Sequence, residues 1–387
     1  MKILAIETSC DDTCAAVLLN DRILSNVVSS QTDLHQKWGG VVPDIAKRAH
    51  QERIIPVIMT ALKLAAKSLS ASPRLPLTRE KNKLDEYMKF IDMIAVTQGP
   101  GLAIALGVGV NYAKELAVKY NKKLVAVNHV EGHILVNLAK NKQGKPDRKI
   151  VFPALVLTVS GGHTKIVLIN PSALRAAPLD KGAKKLKLKY EVVGETLDDA
   201  AGEALDKAAK LLGLGYPGGP VIERLAKLHK NISKEYLLKL PTPLADKKIP
   251  DFSFSGLKTS FYYQIKAWPK EKINKNLANL AAEYQEAVFE HLIRKFKLAI
   301  EKYQPKMLMA AGGVLANLEL RKKLRKMART YKLPILMPIK KILNTDNAAM
   351  IGVAGYYKAM RGEFVKDIKN LDRDPRLDLN PPPNPLL

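Results

Sequence analysis

Apolar residues recur along this chain with two periods, and their alternation sorts most of it into strands followed by helices. Residues 3–6, 14–19 and 23–28 form three short apolar runs. The polar segment 7–13 and the pair Asn20-Asp21 separate them as turns, so the chain opens strand, acidic turn, strand, hairpin, strand. Helical spacing covers residues 43–50, after Gly39-Gly40, and again residues 54–67. Residues 68–88 are polar and broken by proline, and read as a surface insertion. A strand over 91–96, a turn holding Gly99 and Gly101, a helix over 106–118 and a strand over 124–127 follow.

The second half repeats the opening. A strand over 152–159 leads into Ser160-Gly161-Gly162-His163-Thr164 and a strand over 165–170. Two strand–turn–strand units predict two related lobes around a cleft, an α/β architecture. A lysine-rich stretch, 172–189, looks like a second insertion. Residues 194–212 read as one capped helix with Asp199, Glu203 and Asp206 on one side. A glycine-rich turn over 213–220 precedes a helix carrying Glu223. Phe252 and Phe254 alternate onto one core face. The remainder predicts a long amphipathic helix over 275–303, a strand over 305–310 and a strongly basic helix from Arg321 to Arg329. A strand over 332–337, a closing helix from Asn344 and an irregular, proline-rich tail from Leu371 complete the pattern.

No uncharged apolar run approaches the roughly 20 residues that span a bilayer, and the first residues read as a strand and not as a signal peptide. The only two cysteines, Cys10 and Cys14, imply no disulfide framework and fit a reducing cytoplasm. The formal net charge is +26, which fits either a lysine-rich solvated surface or a polyanionic partner, nucleic acid before membrane.

The chemistry concentrates at Val127-Asn128-His129-Val130-Glu131-Gly132-His133. Two histidines four residues apart project from one face of a helix, a spacing that suits two imidazoles on one transition-metal ion. They follow a strand, at the edge where α/β proteins bind ligands. Glu131 lies two residues after His129, about 200° round the helix, whereas metallopeptidases place the general base directly after the first histidine; peptidase chemistry is poorly supported. Asp346 is either a helix cap or a third ligand. The glycine turns let backbone N–H groups approach an anionic ligand.

Ten motifs in order then carry a resemblance: ETSCDDT at 7–13, GGVVPDIAKRAH at 39–50, TQGPGL at 97–102, VNHVEGH at 127–133, VSGGHT at 159–164, GETLDDAAGEALDK at 194–207, GYPGGP at 215–220, FSFSGLKT at 252–259, AGGVLAN at 311–317 and NTDNAAM at 344–350. With these the chain resembles the TsaD family of tRNA N6-adenosine threonylcarbamoyltransferases, long labelled O-sialoglycoprotein endopeptidases, within the actin-like ATPase superfamily. The resemblance implies a two-lobed actin-like fold: residues 1–127 with about 345–370 in one lobe, 128–344 in the other, and 371–387 as tail.

It also implies transfer of a threonylcarbamoyl group from threonylcarbamoyl-AMP to N6 of adenosine at position 37 of tRNAs that read codons beginning with adenine. By position, His129, His133 and Asp346 correspond to ligands of one divalent ion, iron or zinc. Thr158, Val159, Ser160, Gly161 and Gly162 correspond to the substrate-binding turn, and Asp206, Gly219, Glu223 and Asn317 to residues that hold the adenylate. Asp11 matches an acid near the reacting group. ATP or ADP in the same cleft, tRNA, a TsaB-like paralogue as heterodimer partner and a TsaE-like ATPase complete the expectation. The alternative is an actin-like nucleotide-binding scaffold subunit with little activity alone. Asp12 and Asp44 stand where bacterial relatives usually have glutamate, Ile104 where glycine is usual, and Asn344 where cysteine is frequent.

Overall fold

The computed structural model describes residues 1–69, 83–171, 188–229 and 237–380. In chain order the first half comprises β1 (Lys2–Glu7), β2 (Asp12–Leu19), β3 (Arg22–Ser30), α1 (Thr32–Gln36), α2 (Pro43–Leu69), α3 (Lys83–Lys89), β4 (Met93–Gly99), α4 (Ala103–Lys119), β5 (Lys123–Asn128) and α5 (His129–Leu135). The second half comprises β6 (Ala154–Val159), β7 (Thr164–Pro171), β8 (Leu188–Glu195), α6 (Ala201–Leu211), α7 (Gly218–His229), α8 (Ser255–Lys266), α9 (Lys270–Lys275), α10 (Leu277–Tyr303), β9 (Met307–Ala311), α11 (Leu318–Thr330), β10 (Ile335–Leu336) and α12 (Ala348–Met360).

The strands form two sheets of one topology. The first runs β3-β2-β1-β4-β5 and the second β8-β7-β6-β9-β10. In each, three antiparallel neighbours are followed by two parallel strands. This duplication is what the repeated strand–turn–strand pattern predicts.

Period-two alternation explains how each sheet is covered. In β1, Leu4 and Ile6 join a core built with α2 and α4, whereas Ile3 and Ala5 face the opposite side with α12. In β6, Leu155, Leu157 and Val159 pack with α6, α8 and α10, whereas Ala154 and Val156 face the same central cluster as Ile3. That cluster also takes Val130, Ile134 and Leu135 of α5 and Met350 and Ile351 of α12. The helix carrying the histidine pair is therefore clamped between the two sheets. Buried apolar area at about 25 cal/mol per Å2 makes this clamp the source of its rigidity.

Several elements differ from the sequence pattern. Residues 43–50 and 54–67 are one continuous helix, α2, with Pro56 inside it. The polar residues between the two stretches lie on its exposed side and do not break it. The predicted helix over 194–212 begins only at Ala201, because β8 continues to Glu195. Asp198 draws the intervening loop outward by accepting the backbone N–H groups of Phe254 (2.7 Å) and Ser255 (3.2 Å). Asp199 consequently leaves the helix and pairs with Lys207 at 2.6 Å and Lys258 at 3.0 Å. The strand over 332–337 shrinks to Ile335–Leu336. The closing helix starts at Ala348.

Of the two insertions, 70–82 and 172–187 lie outside the described residues, as do tail residues 381–387; residues 83–88 belong to α3 and not to a loop. Phe252 and Phe254 are both buried, and Cys10 and Cys14 are free thiols. Among the described residues no helix is long and apolar enough to cross a membrane.

Candidate active site

α5 starts at His129 because Asn128 caps it, its Oδ1 accepting the N–H groups of Val130 (2.8 Å) and Glu131 (3.2 Å). Asn128 is itself held from behind. Its Nδ2 donates to the carbonyls of Leu377 (3.1 Å) and Asp378 (2.9 Å), so the tail is strapped to the base of the histidine helix. The four-residue spacing then brings the two imidazoles together, with ring centroids 4.7 Å apart.

Asp346 meets them from the turn before α12. Its Oδ1 lies 3.5 Å from His129 Nε2 and 3.2 Å from His133 Nε2. Helix capping falls to the neighbouring Asn347, whose side chain accepts the Met350 N–H at 3.1 Å, which leaves the Asp346 carboxylate facing the imidazoles. The ligand atoms of the three residues all lie within 4.8 Å of one another. A four-coordinate ion with bonds near 2.1 Å separates neighbouring donors by about 3.4 Å, so both edges to Asp346 fit such an ion. Two imidazoles and one carboxylate also leave a coordination position open. His133 Nδ1 is buried and, among the described residues, has no hydrogen-bond partner.

Glu7 is not among the residues that the sequence singles out. This buried carboxylate ends β1 and faces His129 Nδ1 at 3.1 Å, beside Ser9 Oγ, also 3.1 Å from that nitrogen. Glu7 further accepts the Ser9 N–H and the Thr97 hydroxyl (2.5 Å). Orienting carboxylates of this kind fix the tautomer of a ligating histidine. The available signal was a charged residue closing an otherwise apolar strand.

Charge organises the cluster. Burial pushes the Glu7 carboxyl up, but the charge and hydrogen bond of His129 outweigh it and hold the group below its ordinary value. Burial likewise opposes ionisation of Asp346, and the surrounding imidazoles hold it well below the carboxylate range. Burial depresses His129, yet Asp346 and Glu7 lift it to about 9. For His133 burial wins, and its pKa is lowered.

His129 and Asp346 border a cleft of about 640 Å3. Asp11, Ser160, Gly161, Gly162 and Asp206 line it together with His129 and Asp346. A Cβ on Gly161 or Gly162 would meet nothing within 4 Å, so that turn presents open backbone to the cleft. It is fixed from behind by Gly202: a Cβ there would come within 2.7 Å of the Ser160 carbonyl oxygen, and only glycine lets α6 approach so closely. Burial raises the Asp11 carboxyl, and the charge of Asp346 adds to the effect. Asp12, more strongly affected by burial and by Asp11, is raised to about 7.

Of the sequence-predicted residues, His133, Thr158, Val159, Gly219, Glu223 and Asn317 are not among those that line the cleft. Thr158 and Val159 are buried in β6, and Val159 packs its backbone against Gly312, where φ is 99° and a Cβ would stand 2.4 Å from the Val159 oxygen. Asp206 accepts the N–H groups of Gly218 (2.7 Å) and Gly219 (3.0 Å), which ties α6 to α7. Glu223 accepts the Leu318 N–H at 3.1 Å and pairs with Lys227 at 2.9 Å. Asn317 caps α11 through the Glu319 N–H (2.9 Å) and donates to Gln285 at 2.7 Å.

The family model described as "TsaD: tRNA N6-adenosine threonylcarbamoyltransferase" matches residues 22–74 and 78–353. The chain belongs to the TsaD family. Proteins named tRNA N6-adenosine threonylcarbamoyltransferase are similar to it over nearly their whole length. That of Thermosipho africanus is 40% identical over 98% of this chain and 100% of its own. That of Clostridium kluyveri is 43% identical over 98% of both chains, and that of Thermosipho melanesiensis 43% identical over 98% of this chain and 100% of its own.

Proposed function

We propose that this chain is a tRNA N6-adenosine threonylcarbamoyltransferase: it moves the threonylcarbamoyl group of threonylcarbamoyl-AMP to N6 of adenosine 37 in tRNAs that read codons beginning with adenine. The observation that carries the reading is the cluster of His129, His133 and Asp346, of which His129 and Asp346 line the cleft that the Ser160–Gly161–Gly162 turn also lines, in a chain matched by the family almost throughout.

In the reaction the N6 amine attacks the carbamoyl carbonyl carbon. The new N–C bond forms as the bond from that carbon to the AMP phosphate oxygen breaks, and AMP departs. A divalent ion held by His129, His133 and Asp346, iron or zinc, supplies Lewis acidity toward the donor's oxygens when bound. Backbone N–H groups of Gly161 and Gly162 face the adenylate's phosphate. Asp11 accepts the proton that N6 loses; its raised pKa makes it a better base than an ordinary carboxylate. Asp206, by anchoring Gly218 and Gly219, shapes the end of α7 beside the nucleotide, while Thr158, Val159, Glu223 and Asn317 support this wall from within. ATP or ADP would share the cleft.

The excess of basic residues suits tRNA phosphates, and a TsaB-like paralogue and a TsaE-like ATPase are the proposed protein partners, in the cytoplasm. The proposed lobes are residues 1–127 with about 345–370, and 128–344. A nucleotide-binding scaffold would not need two imidazoles and a carboxylate gathered at the edge of the cleft, which disfavours that alternative. The test is transfer to unmodified tRNA by the purified chain with both partners, beside His133→Ala. Transfer that disappears in the variant supports the reading. Absence of transfer with every partner combination overturns it.

A further inference from the structure

A second hollow, of about 660 Å3, opens on the outer side of α6, between it and α8. Lys207, Lys210, Leu211, Lys258, Tyr262 and Tyr263 form its walls. The residues α8 gives to the core are Leu257, Phe261 and Ile265, a single stripe at four-residue spacing. Tyr262 and Tyr263 lie off that stripe and are 38% and 66% exposed. Their rings meet edge to face at 5.3 Å, and the Lys266 ammonium stands 5.6 Å from the Tyr262 ring. Two exposed π faces thus stand side by side with cationic side chains around them, an arrangement that offers both stacking and charge to a ligand.

The hollow is connected to the cleft through α6. Glu203 lines the cleft and pairs with Lys207 at 2.8 Å; Lys207 and Lys258 are both fixed by Asp199. One turn further along, Lys210 Nζ lies 3.6 Å from where a Cβ on Gly39 would stand, so this helix face reaches across to the loop before α2 at the mouth of the cleft. Carboxylates hold the inner two lysines in place, and Lys210 and Lys266 are exposed.

We infer that this face of α6 and α8 is a stacking platform for unpaired nucleotides of the tRNA beside the target adenosine. The inference rests on the proposed transferase function and adds where the RNA lies. A base can stack on Tyr263 because every base offers a π face, and lysines along the same groove follow the backbone phosphates. A loop nucleotide suits the site better than a duplex, whose bases are already stacked. The same chemistry separates the platform from the reacting centre: it grips the neighbours of the modified base and does not touch the donor.

The test uses the chain together with its protein partners. Binding of a fluorescent unmodified anticodon stem-loop is measured beside tRNA-dependent transfer for wild type, Tyr263→Ala, Tyr263→Phe and Lys210→Ala. Stem-loop binding weaker by about ten-fold in Tyr263→Ala, restored in Tyr263→Phe, with KM for tRNA raised and kcat retained, is the expected result. Lys210→Ala lowers the slope of log affinity against log salt by about 0.7. Wild type that transfers normally, with variants that bind and transfer equally well, overturns the platform alone. Variants that keep RNA binding but lose heterodimer formation in gel filtration also overturn it and give the surface to a protein. Wild type that neither binds the stem-loop nor transfers overturns the platform and the transferase reading together.

Discussion

Glu7 Oε2 stands 3.1 Å from Nδ1 of His129, while the other nitrogen of the same ring stands 3.5 Å from Asp346. One imidazole thus bridges a carboxylate behind it and the carboxylate that also meets His133. With a cation on Nε2, the Nδ1–H donates to Glu7, which fixes the ring and makes it a better ligand. Glu7→Gln is therefore expected to weaken metal affinity by about ten- to a hundred-fold. Titration of the metal-free chain with Zn2+ or Fe2+ under anaerobic conditions checks this; unchanged affinity would show that His129 is oriented by packing alone.

Asp346 and Asn347 are adjacent yet have separable tasks. Asn347 accepts the Met350 N–H and starts α12, whereas Asp346 faces the histidines. Asn347→Ala should cost about 1 kcal/mol of stability and leave a bound metal in place. Asp346→Ala should release the metal and abolish transfer with little change in helix content. Denaturant unfolding, circular dichroism and metal analysis on the two variants distinguish these outcomes.

Gly202 permits the start of α6 to touch the 160–162 turn, its N–H donating to the Ser160 carbonyl at 3.2 Å. Gly202→Ala introduces a methyl 2.7 Å from that oxygen and 2.9 Å from Gly161 Cα. Backbone on both sides must separate, and the turn shifts toward the cleft. KM for the adenylate should rise about ten-fold or more, since sub-ångström placement governs such contacts. Metal content should not change. Steady-state kinetics at saturating tRNA measure the effect.

His291 gives the fold an acid-sensitive point outside the lining of the cleft. It accepts the Ser253 N–H at 3.2 Å and meets the rings of Phe252 and Phe254 edge-on. Burial, reinforced by the charges of Arg294 and Lys295, lowers its pKa to about 3. The folded protein keeps this ring neutral, while the unfolded chain takes up a proton near pH 6.5. Its stabilising contribution is complete above pH 6.5 and declines as pH falls toward 3, by at most about 1.4 kcal/mol per pH unit. His291→Gln retains an acceptor for Ser253 without the titration. The melting temperature of that variant should fall less steeply than wild type between pH 6.5 and 4.5; parallel curves would contradict the assignment.

The sequence by itself determined the repeated strand–turn–strand units, the helical histidine pair and the glycine turns, because each depends on residues close together in the chain. Periodicity of two or near four and the backbone freedom of glycine are local properties, and they survive without knowledge of neighbours. The sequence could not decide what Asp346 does. Cap and ligand are both open to an aspartate before a helix; the fold gives the cap to Asn347 and sets Asp346 against His133 across 213 residues of chain. Nor could it show Glu7 as the partner of His129, a contact spanning 122 positions. The start of α6 was likewise misread, because Asp198 is drawn to backbone donors of residues 254 and 255, some 56 positions away. Tertiary structure alone brought the tail back to Asn128 at the base of the histidine helix. Buried polar groups must find partners wherever in the chain these lie, and that requirement leaves no periodic trace in a sequence.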